Sequence, residues 1–129
     1  GPTVGGKGKI EARNKTFKAG QILENAGITF GLITDAPFVP IEGQLLQAAL
    51  YVKNGLSREM ALKCLTINNA IITDIDSRVG SLEPGKDADV VIWDVEPLAT
   101  LSQVGIVIID GQIAYRRKAG ESNVDYQKL

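Results

Sequence analysis

The sequence predicts an α/β fold that this chain does not complete by itself. Apolar residues recur at helical spacing through the first half, and a short, nearly continuous apolar run at residues 28–34 interrupts them. Short apolar strands separated by turn residues follow residue 76. A run such as 28–34 is typical of a strand buried on both faces of a parallel sheet, which needs neighbours on both edges. Because no other stretch resembles a parallel partner, we expect part of the sheet to come from elsewhere.

The composition limits the function. The chain has 129 residues, of which 44% are hydrophobic and 22% charged, as in ordinary globular proteins, and its net charge of −1 argues against nucleic-acid binding. There is no histidine, so this chain alone cannot build a Ser-His-Asp triad or a histidine zinc site. A lone cysteine, no bilayer-length apolar run and no signal-peptide pattern favour a cytoplasmic protein.

The first element is a glycine-rich, basic stretch, residues 1–17, that predicts a long loop. It holds a polar cluster that would either face a substrate or lie solvated on the loop. The cluster consists of Lys9, Glu11, Arg13 and Asn14.

Four helices are expected next. Gly27 and Gly55 stand where helices end, and Ser57 has the residue type of an N-cap. Cys64 falls beside the apolar stripe of the third helix, where a buried thiol is more usual than a nucleophile. The predicted helices cover residues 18–26, 44–54, a stretch beginning after Ser57, and 69–73.

The last part predicts one small antiparallel sheet. Strands are expected at 89–94, 104–109 and 112–116, and Asp110-Gly111 is a two-residue hairpin turn. Trp93 should pack on or beside this sheet. The predicted domains are 1–76 and 77–117, followed by a flexible tail, 118–129.

One residue is singled out by position. Asp35 follows the apolar run 28–34, and the carboxyl ends of strands are where α/β proteins place ligands and catalytic groups. The alternative is an aspartate that stabilises the turn before Pro37. A second carboxylate pair, Asp87 and Asp89, is explained more simply by solvated turn residues.

Three stretches carry a family resemblance: residues 80–94 (GSLEPGKDADVVIWD), 61–70 (ALKCLTINNA) and 28–37 (ITFGLITDAP). Together with the hairpin 104–117 they resemble the carboxyl-terminal third of the metal-dependent amidohydrolase superfamily, in particular its imidazolonepropionase-like members. The resemblance implies the last strand and helices of a (β/α)8 barrel plus part of a small β-sandwich domain. The missing first part would bring the histidines.

The resemblance also implies a reaction. The parent enzyme would hydrolyse an amide, cyclic amide or amidine C–N bond of a small molecule with metal-activated water. Its cofactor would be a divalent metal, with zinc expected, and Asp35 would be both metal ligand and catalytic carboxylate. We expect the isolated chain to be inactive, to hold no tightly bound metal, and to pair with the remainder of the enzyme or another copy. The alternative is a non-catalytic interaction fragment that folds only with a partner.

Overall fold

The structure is a computed structural model that describes residues 16–37 and 39–118. The chain forms two compact units, divided between Ser81 and Leu82. Most of the predicted loop 1–17 and, beyond Lys118, the predicted tail 118–129 lie outside the described residues. The division into barrel and sandwich segments at residue 76 stays a prediction.

Four helices build the first unit, as expected from the sequence. A short 3₁₀ turn, Ile41–Gly43, leads into the second of them. The fourth starts two residues earlier than predicted, directly after the third. The helices are α1 (Lys18–Asn25), α2 (Gln44–Lys53), α3 (Arg58–Leu65) and α4 (Ile67–Ile72).

The predicted helix boundaries are confirmed by local geometry. Gly27 and Gly55 have positive φ angles of 67° and 104°, just beyond α1 and α2. The Ser57 hydroxyl accepts a hydrogen bond from the Met60 N–H at 3.1 Å, as an N-cap does. These bonds are made within one turn of chain, which is why the sequence alone indicates them.

A carboxylate of α1 ties that helix to the start of α3. Glu24 accepts hydrogen bonds from the Ser57 backbone N–H, at 2.9 Å, and from the Ser57 hydroxyl. The hydroxyl and then the backbone bond hold the pKa of Glu24 below its ordinary value. Because the pKa is lower in the folded chain, this contribution to stability is complete at neutral pH and is lost as the pH falls through the lowered pKa.

The core of the first unit lies where the helices meet. Ala48 and Ala61 are fully buried, Leu56 is almost so, and the edge of the Phe17 ring packs on Tyr51 with 5.3 Å between ring centroids. The largest fully buried side chains are Gln47 and Cys64. A glutamine in that place needs hydrogen-bond partners, which the site below supplies.

The expected strand at 28–34 is not formed within this chain. A strand requires backbone hydrogen bonds to a neighbouring strand, and the described residues place none beside it. The segment is also covered on one side only: Leu32 and Thr34 are buried, whereas Ile33 is 54% exposed. The chain alone therefore buries one face of the segment, and burial of both faces in a sheet completed from elsewhere stays a prediction.

The second unit is the predicted antiparallel sheet, in the order β1–β2–β3. Trp93 is half-buried and pairs with Val104. In the turn, Asp110 and Gly111 have positive φ angles of 51° and 74°, the backbone that an Asp-Gly hairpin favours. The expected sheet and turn are thus confirmed. The strands are β1 (Val90–Trp93), β2 (Val104–Ile109) and β3 (Gln112–Arg116).

Candidate active site

Asp35 begins the turn that follows segment 28–34. Its φ is +59°, a left-handed conformation that aspartate tolerates better than most residues, and its side chain is exposed. Within residues 16–37 and 39–118, no group donates a hydrogen bond to its carboxylate. An aspartate that stabilises a turn usually accepts from the N–H two residues on, and here that residue is Pro37, which has no N–H.

Two glutamines of α2 hold the peptides just before Asp35. Gln44 donates from Nε2 to the carbonyl oxygen of Leu32, and Gln47 donates from Nε2 to that of Ile33, both at 2.8 Å. Both bonds come from side chains of α2 and not from the backbone of a neighbouring strand. The backbone leading to Asp35 is thereby fixed by side chains.

Groups from α3 and α4 hold the earlier part of the segment. The Phe30 carbonyl accepts from Asn68 Nδ2 at 2.9 Å and from Cys64 Sγ at 3.2 Å. The Leu32 carbonyl accepts from Asn69 Nδ2 at 3.3 Å, and the Leu32 N–H donates to the Cys64 carbonyl at 3.1 Å. Three helices therefore anchor the segment from its covered side.

Gly31 is required by this close approach. A Cβ atom at that position would lie 1.7 Å from Asn69 Oδ1, far inside van der Waals contact. The Asn69 amide can pack against the segment only because residue 31 has no side chain.

Cys64 serves packing in this structure. It has no exposed surface, and burial raises the pKa of its thiol to about 11. Because the thiolate is the reactive form, we expect negligible labelling by an aromatic disulfide reagent at pH 8 in the folded chain and complete labelling in denaturant. Rapid labelling of folded protein would contradict the buried position.

Of the other candidate residues, the structure describes the carboxylate pair Asp87 and Asp89 but not the loop cluster. Lys9, Glu11, Arg13 and Asn14 lie outside the described residues. Asp89 has a structural contact, because its Oδ1 accepts from the Asp110 N–H at 2.8 Å and ties β1 to the hairpin turn.

A metal would find one suitable donor here. In the part of the chain that the structure describes, no three histidine, cysteine, aspartate or glutamate side chains cluster as a metal site. At the end of segment 28–34, Asp35 fits as an oxygen ligand, since its carboxylate is exposed and no described donor engages it. The other ligands would have to come from outside these residues.

Comparison with known proteins decides the family. The model of the amidohydrolase family matches residues 10–114. The chain belongs to this family. Among curated amidohydrolases, it is 34% identical over 103 residues to amidohydrolase tasK of Hapsidospora irregularis, a match covering 80% of this chain and 10% of that protein. It is 35% identical over 86 residues to the imidazolonepropionase of Shewanella baltica OS185, covering 63% of this chain and 21% of the relative.

Solved amidohydrolases share the fold. An amidohydrolase from Thermotoga maritima MSB8 superposes with a TM-score of 0.86 at 38% identity, over 91% of this chain and 30% of that one. The chain thus spans between a tenth and about a third of the length of these three relatives. Among the described residues, no helix has the length and apolar character of a membrane span.

The glutamine and asparagine contacts were not found by sequence reasoning. Gln47 lies in the apolar run of α2, next to Ala48, and a polar residue on a core-facing position is the signal that could have indicated it. That signal shows that a partner is needed but not which one. Only the packed structure identifies the carbonyl of Ile33.

Proposed function

We propose that this chain is the carboxyl-terminal part of a metal-dependent amidohydrolase that hydrolyses an amide, cyclic amide or amidine C–N bond of a small molecule. The observation that carries the proposal is the Asp35 carboxylate. It is exposed, has no hydrogen-bond donor among the described residues, and follows a segment that three helices hold in place. Membership of the amidohydrolase family, and similarity to an amidohydrolase and an imidazolonepropionase, support the reaction class.

Asp35 is the proton-transferring group in this proposal. A carboxylate beside the attacking water can take its proton and return it to the leaving nitrogen. The short aspartate side chain, on a backbone held by Gln44 and Gln47, keeps its oxygens within a small volume. The same oxygens would serve as one metal ligand. When bound, a divalent cation supplies the Lewis acidity that activates water at neutral pH.

In this proposal, most of the metal ligands come from the remainder of the enzyme. We expect the pure 129-residue chain to show no hydrolase activity and no stoichiometric zinc, because it contains no histidine and a zinc site needs three or four ligands. Elemental analysis and activity assays of the chain alone, beside the full-length enzyme, measure this. Stoichiometric zinc in the isolated chain would contradict the expectation.

The alternative is a non-catalytic fragment that acts only by association. The uncovered side of segment 28–34 favours it, since Ile28 and Ile33 are 49% and 54% exposed. Both proposals require something to cover these side chains. Mixing the chain with the remainder of the enzyme separates them, because restored turnover supports the hydrolase, whereas stable association without turnover supports the interaction fragment.

A further inference from the structure

We infer that Gln44 and Gln47 of α2 are positioning residues, which set the location of the Asp35 carboxylate by holding the two peptides that precede Thr34. The inference rests on the proposed function, in which Asp35 transfers the proton. In this inference α2 contributes to catalysis indirectly, through the backbone before Asp35 and without contacting the substrate.

The two glutamines form a pair. They are three residues apart on α2, so their side chains leave the same face of the helix. They donate to consecutive carbonyl oxygens, those of Leu32 and Ile33, both at 2.8 Å. Gln47 is only 1% exposed, so its amide cannot exchange these contacts for water without opening the core.

These contacts lie close enough to the carboxylate to control it. Only Thr34, itself buried, separates the Ile33 carbonyl from Asp35. A rotation of the Ile33 peptide would displace Asp35, because no other described group contacts its carboxylate and holds it in position. A displacement of about 1 Å at a reacting group costs up to about 100-fold in rate.

The test uses Gln47→Leu and Gln44→Leu in the full-length enzyme. Leucine nearly preserves the side-chain volume and removes the donor. We expect kcat to fall by roughly 10- to 100-fold, the usual effect of losing a group that orients a catalytic residue, with a smaller change in KM. If Gln47→Leu does not fold, Gln44→Leu carries the test, because Gln44 is only half-buried.

Asn54→Leu is the matched control. Asn54 is also an amide, at the carboxyl end of α2, and half-buried like Gln44, but it donates at 2.7 Å to the carbonyl of Leu50 within the helix and not to the segment that leads to Asp35. We expect this variant to lose stability and to keep its kcat per folded molecule. An equal loss of kcat in Asn54→Leu would overturn the inference, since the effect would then follow from stability alone.

A double variant shows whether the glutamines act through Asp35. In an Asp35→Asn background, Gln47→Leu should cause no further loss of kcat, because the group it positions is already gone. A full additional loss would overturn the inference. Normal kcat in both glutamine variants, with Asp35→Asn impaired, overturns only the positioning role. Normal kcat in Asp35→Asn overturns the proposed function, and this inference with it.

Discussion

Asp35→Asn should lower kcat of the full-length enzyme by roughly 10²- to 10⁴-fold, the usual contribution of a positioned general base. Asparagine nearly preserves the shape of the side chain but cannot accept the proton from water. Folding should change little, since no described group donates to the Asp35 carboxylate. Steady-state kinetics and thermal melts of the variant measure the two effects separately.

Asp74→Asn is the control for this substitution. Asp74 is also exposed and left-handed, with a φ of +60° against +59° for Asp35, but it follows α4. Its replacement should leave kcat unchanged. If Asp35 only stabilised its turn, Asp35→Asn would lose thermal stability and keep normal turnover per folded molecule, and that result would end the catalytic assignment.

Gly80→Ala should strongly destabilise the first unit, because it combines an unfavourable backbone angle with a steric overlap. Gly80 has a φ of +95°, and a Cβ there would lie 2.8 Å from Ala70 Cβ and 2.9 Å from the backbone Cα of Ile67. The left-handed backbone costs about 1–2 kcal/mol, and the overlap costs about 1–3 kcal/mol more. We therefore expect a free energy of unfolding lower by roughly 2–5 kcal/mol, measured by chemical denaturation.

Gly85→Ala separates the two costs. Gly85 has a similar φ of +92°, but nothing lies within 4 Å of its Cβ position. It should lose only the backbone part, about 1–2 kcal/mol. Equal losses in the two variants would show that packing against α4 contributes nothing at Gly80.

The features that could be predicted from the sequence depend on neighbouring residues. The Asp110-Gly111 turn and the Ser57 cap are each specified within a few residues, because turn and cap chemistry is local. Segment 28–34 differs. Its composition indicated a strand, but a strand exists only where another lies beside it, and the described chain supplies amide side chains instead.

In the candidate site, too, local features could be predicted from the sequence and tertiary contacts could not. The position of Asp35 after an apolar run could be recognised in the sequence, since it depends on order along the chain. The hydrogen bonds that hold its backbone could not, because Gln44 and Gln47 acquire their partners only when α2 packs against the segment. The catalytic role of Asp35 stays a prediction.

The amide contacts of segment 28–34 also bear on how it exchanges hydrogen with solvent. Its carbonyls are held by side chains from far along the chain, since Gln44 lies 12 positions from Leu32 and Asn68 lies 38 positions from Phe30. No strand ladder among the described residues protects the segment once α2 and α4 separate from it. We expect the backbone amide hydrogen of Phe30 to exchange with solvent before those inside α3, and a local opening of this kind would release Asp35 from its fixed position while the helices persist.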